Sequence, residues 1–134
     1  MTQQTTSFAV GAALPAVTKT VTREKIDAYA RASGDGNPLH TDPEFAATTQ
    51  FGGTIAHGML VLAYVSEVLT AAFGEDWLAS GWLKVRFRAP ARPGDTLTSS
   101  AKVTSVEGGR TICEVECRNE GGETLLSGEA EVSR

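Results

Sequence analysis

The chain has 134 residues, of which 41% are hydrophobic and 21% charged, and its formal net charge is −4. This length and composition fit one globular domain with a single core. A nucleic-acid-binding protein is normally basic overall, so the acidic balance argues against that class of partner. No apolar stretch approaches a membrane span, and the first eighteen residues lack the Lys and Arg of a secretory signal. We therefore expect one cytoplasmic domain over residues 1–134, with residues 1–6 as a loose polar tail.

The first half of the chain is predicted to be rich in helix. A loosely alternating stretch at 14–21 is interpreted as a strand. A helix is predicted over 23–33, because a threonine suited to N-capping precedes it and a glycine follows it. Asp42-Pro43, a capping side chain followed by proline, predicts a short helix to about residue 49. The stretch 58–73 is apolar nearly all round, which indicates a buried helix.

The second half of the chain is predicted to be a meander of four strands. Alternating apolar residues separated by glycine or proline turns place them at 82–88, 97–106, 110–118 and 124–132. Helices followed by strands indicate an α+β fold, in which an antiparallel sheet is covered by the helix at 58–73.

The two cysteines, Cys113 and Cys117, lie on one predicted strand. Their separation there is about 13 Å, at ~3.3 Å per residue, whereas a disulfide needs Cα atoms within about 7 Å. We therefore predict free, buried thiols in a reducing compartment.

The segment 33–40 places a carboxylate, an amide and an imidazole within six residues. Asp35 and His40 are five positions apart, and such positions point to different sides of a helix. They converge only if the chain between them is not helical, and two glycines and a proline in the segment favour that. Turns without function also have this composition, so the structural alternative stays open at this point.

Asp35, His40, Asp42 and His57 are a conceivable set of metal ligands. However, the sequence contains no pair of histidines four residues apart and no Cys-x-x-Cys spacing. We therefore expect no metal ion.

The start of the helix at 58–73 is a second candidate for chemistry. The first N–H groups of a helix have no internal partner and carry the positive end of its dipole. Gly58 has no side chain, so a ligand oxygen can approach its N–H closely, as in an oxyanion hole. The adjacent His57 is interpreted as a structural histidine with satisfied hydrogen bonds.

These two segments together resemble the MaoC-like family of (R)-specific enoyl-CoA hydratases, and most closely its short PhaJ-type members. The matching motifs are Gly34-Asp35-Gly36-Asn37-Pro38-Leu39-His40 and Ile55-Ala56-His57-Gly58-Met59. The resemblance continues in 42–46 and 85–90, and so it extends over nearly the whole chain.

The resemblance implies a hotdog fold, an antiparallel sheet wrapped around one long helix, here 58–73. It further implies a homodimer with the site near the interface. Asp35 and His40 match the catalytic pair, and Asn37 matches the residue that helps to hold the loop and a water. The Gly58 amide matches the donor to the thioester carbonyl, and Ser66 matches a serine near the site.

The implied reaction is the addition of water to a 2-enoyl-CoA thioester to give a (3R)-hydroxyacyl-CoA, reversible as a dehydration. Coenzyme A enters as part of the substrate, so no separate cofactor is expected. Lys84, Arg86 and Arg88 are candidate contacts for its phosphates, although a solvated strand face is an equal alternative. Two other functions stay open: an acyl-CoA thioesterase, and a non-catalytic subunit that binds an acyl thioester or a partner.

Overall fold

The computed structural model describes residues 8–134, and within this range it contains five strands and five helices. The strands are β1 (Val17–Thr20), β2 (Trp82–Phe87), β3 (Thr96–Glu107), β4 (Arg110–Arg118) and β5 (Thr124–Ser133). The helices are α1 (Arg23–Ser33), α2 (Pro38–Thr41), α3 (Pro43–Ala47), α4 (Gly58–Phe73) and α5 (Glu75–Ser80). The tail predicted at 1–6 lies outside the described residues.

The strands form one sheet in the order β1-β3-β4-β5-β2, and every neighbouring pair is antiparallel. The hairpin between β3 and β4 turns at Gly108 and Gly109, whose φ angles of 59° and 80° favour glycine. β2 comes first in sequence among the four C-terminal strands, yet it joins the far edge of the sheet beside β5. The helical half of the chain thus separates the two edge strands in sequence.

β2 lies unusually close to β5 at one position. A Cβ atom built on Gly128 would lie 2.1 Å from the carbonyl oxygen of Lys84 and 2.8 Å from the Cα atom of Val85. No side chain fits into that space, so this approach of β2 requires glycine.

The core lies between α4 and the inner face of the sheet. The buried residues of α4 recur at helical spacing: Leu60, Val61, Tyr64, Val65, Val68 and Leu69. α4 contacts β1, β3, β4 and β5, whose alternate apolar residues face it. A sheet wrapped around one helix is the arrangement that the sequence predicted, and the bounds of α1 and α4 agree with the prediction.

Other elements differ from the prediction. β1 is half as long as the stretch at 14–21, and α3 ends at Ala47 rather than near residue 49. α2 and α5 were not predicted, because helices of four and six residues are too short for a hydrophobic period to show. The strands β3, β4 and β5 lie where they were expected, to within one residue at each end.

Cys113 and Cys117 are free and buried, as the sequence predicted. Burial raises the pKa of the Cys113 thiol to about 11 and also raises the pKa of Cys117. Within residues 8–134, no helix has the length and apolar character needed to cross a membrane.

Candidate active site

The loop between α1 and α2 is fixed by its own side chains. Gly34 ends α1 with a φ of 78°, the left-handed conformation that favours glycine. A side-chain oxygen of Asp35 accepts from the backbone N–H of Asn37 at 3.2 Å. The side chain of Asn37 in turn accepts from the N–H of Leu39 at 2.9 Å and caps α2. The irregular chain between Asp35 and His40 is therefore confined to residues 34–37, and α2 begins immediately afterwards.

This loop brings the carboxylate and the imidazole of the predicted pair together. Oδ2 of Asp35 and Nε2 of His40 are 4.0 Å apart. This separation is too long for a direct hydrogen bond, but one water oxygen fits within about 2.8 Å of both atoms. The side chain of Asp35 is 53% exposed and that of His40 is 12% exposed, so a small molecule reaches the pair from the carboxylate side.

The hydrogen bonds of His40 fix which of its nitrogens carries the proton. Nδ1 lies 2.8 Å from the backbone oxygen of Ile55, which can only accept, so Nδ1 donates. In the neutral ring Nε2 then carries a lone pair, and it faces Asp35. The backbone oxygen of His40 accepts from the guanidinium of Arg23, which also pairs with Asp27. His40 is therefore held both through its ring and through its backbone.

His57 lies beneath this pair and is only 2% exposed. Its Nε2 donates to the backbone oxygen of Asp35 at 2.9 Å. Its ring stacks on that of His40, with centroids 3.9 Å apart and planes 27° apart, while Tyr29 lies at 4.8 Å. Among the described residues Nδ1 has no partner. The expectation that every hydrogen bond of His57 is satisfied was therefore wrong for this nitrogen.

Asp35, His40 and His57 also bring possible metal-ligand atoms within 4.8 Å of one another. A zinc ion bound by two imidazoles would lie about 2.0–2.1 Å from each nitrogen. It would also lie in the plane of both rings, because the lone pairs are in the ring planes. Two stacked rings with nearly parallel planes do not meet at such a point. Asp42 is outside this cluster and caps α3. The expectation of no metal ion stays a prediction, which this geometry favours.

The N-terminus of α4 adjoins the pair. His57 is the N-cap, and the first intrahelical donor is the N–H of Leu60, which bonds to the oxygen of His57 at 3.1 Å. The N–H of Gly58 therefore precedes the helical ladder. An apolar cavity of about 310 Å³ opens beside it. The cavity is lined by residues of α4, of the chain before it and of the end of β2, among them Phe51, Ile55, Gly58, Val61, Phe87 and Arg88.

The ring of Phe87 lies beside Gly58. A Cβ atom on Gly58 would lie 3.0–3.3 Å from three carbons of the Phe87 ring, which is 54% exposed. The sequence missed Phe87 as a site residue, because strand alternation assigned it to the buried face with Leu83 and Val85. Its position at the end of a predicted strand, next to a proline-rich turn, was the available signal.

The remaining predicted residues lie in three different surroundings. The hydroxyl of Ser66 accepts from Nε1 of Trp77 at 3.0 Å, two helical turns from Gly58. Arg88 lines the cavity, and its Nε donates to the hydroxyl of Ser127. Lys84 and Arg86 line a depression on the outer face of the sheet, and Arg88 lines this depression as well. Of the three, the structure therefore brings Arg88 to the cavity and leaves Lys84 and Arg86 on the outer face alone.

A sheet wrapped around one long helix defines a hotdog domain, and here a carboxylate and an imidazole lie together near the N-terminus of that helix. Residues 6–123 match the model of the MaoC like domain. The chain belongs to the MaoC-like family.

Named relatives agree with this assignment. The chain is 35% identical over 114 residues to the (R)-specific enoyl-CoA hydratase of Aeromonas caviae. The aligned region covers 81% of this chain and 82% of that hydratase. It is 34% identical over 120 residues to the (R)-specific enoyl-CoA hydratase of Rhodospirillum rubrum, with 85% and 80% covered. The solved (R)-hydratase of Aeromonas caviae involved in PHA biosynthesis superposes with a TM-score of 0.82 at 30% identity, covering 95% of this chain and 97% of that one. The hotdog fold predicted from the sequence is thereby confirmed.

Proposed function

We propose that this protein is an (R)-specific 2-enoyl-CoA hydratase. It adds water across the trans-2 double bond of an acyl thioester to give the (3R)-hydroxyacyl-CoA, and it catalyses the reverse dehydration at the same site. One observation carries the proposal: Asp35 and the lone-pair nitrogen of His40 face each other 4.0 Å apart beside the N-terminus of α4. Relatives of matching length that are named for this reaction support it.

In this proposal, the N–H of Gly58 binds the thioester oxygen. That oxygen gains negative charge when water attacks C3, and an amide aimed at it stabilises the developing enolate. The positive end of the α4 dipole adds to the effect. Loss of one such donor typically costs about 3 kcal/mol, or 10²–10³ in rate.

The Asp35/His40 pair moves the protons. One O–H bond of the shared water breaks while its oxygen forms a bond to C3, and C2 gains a proton. The bare Nε2 of His40 is suited to accept the proton of the water. The pair takes up one proton and gives one, so its total protonation is unchanged and the reaction requires no further cofactor. Because the two groups share one water position, the proton given to C2 is assigned to the pair rather than to either residue alone. Asn37 contributes by capping α2, which holds the loop that carries both groups.

The coenzyme A handle is anionic, and Arg88 is the cationic side chain that lines the cavity beside Gly58. We propose that Arg88 contacts a phosphate of the handle. Lys84 and Arg86 belong to the same predicted set, but their place on the outer face gives the proposal less support for them.

We further propose a homodimer formed through β2. β2 is an edge strand, and its Trp82 and Phe87 are 51% and 54% exposed. An edge with exposed aromatic residues is a template for pairing with a second strand. Because Phe87 also lines the cavity, a second copy on this edge would lie next to the site. Two buried free thiols fit a reducing compartment, and we propose the cytoplasm.

The test uses the conservative variants Asp35→Asn and His40→Gln. Each is expected to lower the hydration rate of crotonyl-CoA by at least about 10³, because each removes one proton-transfer group of the pair. Loss of enoyl absorbance measures the rate, and chiral analysis of the product gives its configuration. Glu44→Gln is the matched control, because it neutralises an exposed carboxylate on α3 near the loop.

Wild-type-like turnover in either variant, with circular dichroism unchanged, would reject the pair. Release of free coenzyme A, detected with a thiol reagent, would mark the protein as a thioesterase instead. A (3S) product would refute the stereochemical part of the proposal.

A further inference from the structure

The geometry points to a third residue in this chemistry: we propose that His57 is a positioning residue that aligns Asp35 with His40. The inference rests on the proposed hydratase function. Nε2 of His57 donates to the backbone oxygen of Asp35, so this nitrogen does not contact the water proposed between Asp35 and His40. It acts through the two residues that move the protons.

The first contact of His57 ties the catalytic loop to α4. Residues 34–37 are exposed, and the other hydrogen bonds described for Asp35 and Asn37 join residues at most four positions apart. The bond from Nε2 of His57 to the oxygen of Asp35 instead joins positions 22 residues apart. It comes from a side chain that is only 2% exposed at the start of the buried helix. An exposed loop is thereby fixed to the core at the residue that carries the carboxylate.

The second contact sets the plane of the His40 ring. The bond from Nδ1 of His40 to Ile55 fixes the direction of one nitrogen, but it leaves the ring free to rotate about that bond. The stacked ring of His57, 3.9 Å away, closes one face of His40 and removes this freedom. The ring of Tyr29, with its centroid 4.8 Å from that of His57, also packs against His57. A single side chain therefore controls both the position of Asp35 and the direction in which Nε2 of His40 points.

These two contacts serve the reaction because proton transfer depends steeply on placement. A misplacement of 1 Å can cost on the order of 10² in rate. Binding of the thioester at Gly58 does not depend on the direction of the His40 ring. Loss of His57 is therefore expected to lower kcat much more than it raises KM.

Two amide substitutions separate the roles of the two nitrogens of His57. The amide nitrogen of Gln at this position reaches about as far as Nε2, whereas that of Asn reaches only as far as Nδ1. His57→Gln keeps the bond to Asp35 but loses the stacked ring, and it is expected to lower kcat by no more than about tenfold. His57→Asn loses that bond and is expected to lower kcat by about 10², with KM changed less than about threefold. The two variants carry the same amide group and differ by one methylene. A difference in kcat between them therefore reflects the length of the side chain at position 57 and not its polarity.

A second measurement does not depend on turnover. The chain contains only two histidines, His40 and His57, so long-range ¹⁵N–¹H spectra show just two imidazole patterns. The wild-type protein is expected to have the proton on Nδ1 of His40 and on Nε2 of His57. Both variants lose the stacked ring, so the His40 signals are expected to shift or broaden in both, and to do so more in His57→Asn, which also loses the bond to Asp35.

The outcomes are distinct. Equal kcat values in the two folded variants would overturn the proposal. So would a wild-type spectrum with the proton of His57 on Nδ1, and this result holds even if both variants fail to fold. Protein that shows the expected two patterns without any hydration of enoyl-CoA would reject the proposed function while leaving the positioning of the pair by His57 in place.

Discussion

Gly58→Ala is the sharpest test of how the amide at the start of α4 is used. The added methyl group would lie 3.0–3.3 Å from three carbons of the Phe87 ring, closer than the roughly 3.5–4.0 Å of an optimal carbon contact. The ring is 54% exposed and can yield by a few tenths of an ångström. Gly58 does not have a positive φ, and alanine favours a helix over glycine by up to about 1 kcal/mol. We therefore expect a change in the free energy of unfolding within about 1 kcal/mol of zero.

The same substitution is expected to damage catalysis severely. The methyl group stands beside the N–H at which the thioester oxygen is bound in the proposed mechanism, within a cavity of only about 310 Å³. If the donor is lost, the cost is about 3 kcal/mol of transition-state stabilisation, or 10²–10³ in kcat/KM for crotonyl-CoA. The assay is loss of enoyl absorbance, with a thermal melt on the same preparation.

A double-mutant cycle with Phe87→Leu separates two explanations of that loss. If the methyl group acts only by displacing the ring, the smaller side chain at position 87 should recover most of the activity in the double variant. If it blocks the amide, the two losses should multiply. A Gly58→Ala protein that is folded and within about threefold of wild type would refute the use of this amide.

Three further outcomes are expected. Arg88→Gln should raise KM for crotonyl-CoA several-fold with kcat little changed. The control, Arg31→Gln on α1, should leave both constants unchanged. Equal constants in the two variants would contradict a role for Arg88 in binding the coenzyme A handle. Because the pKa of Cys113 is raised in the folded protein from 9.0 to about 11, its contribution to stability is complete below pH 9 and is lost as the pH rises to about 11. Urea melts should therefore show a steeper loss of stability over that interval in wild type than in Cys113→Ala, and parallel curves would disprove the linkage. Asp42→Ala removes the side chain that accepts from two N–H groups of α3, and should lower the free energy of unfolding by about 1 kcal/mol; an unchanged urea midpoint would argue against this cap.

Elements whose local signal was strong could be predicted closely from the sequence. α4 was placed with its observed bounds, because a stretch of sixteen largely apolar residues begins at one glycine and ends before another. The irregular loop that carries Asp35 could be predicted because its glycines and capping side chains act within a few residues of one another, whereas α2, on which His40 lies, was not predicted.

Contacts between distant parts of the chain could not be predicted in this way. The bond from His57 to Asp35 joins a helix start to a loop, and no spacing rule links them. The placement of Arg88 shows a different limit. Alternation grouped it with Lys84 and Arg86, and it does line the outer depression with them. Alternation did not predict that Arg88 also lines the cavity, which it reaches where the N–H groups of Arg88 and of the following residue both bond to the oxygen of Leu125, just after β2 ends.

The closeness of β2 to β5 at Gly128 has a consequence for engineering. β2 ends in Phe87 and is followed by Arg88, and both residues line the cavity, so the width of its opening depends on how closely β2 packs against β5. Any side chain at position 128 would push the strand outward, since its Cβ would lie 2.1 Å from the Lys84 carbonyl. Gly128 does not line the cavity, yet it determines how wide the cavity opening is. A redesign for bulkier acyl groups would therefore have to keep this glycine or redesign β2 together with it.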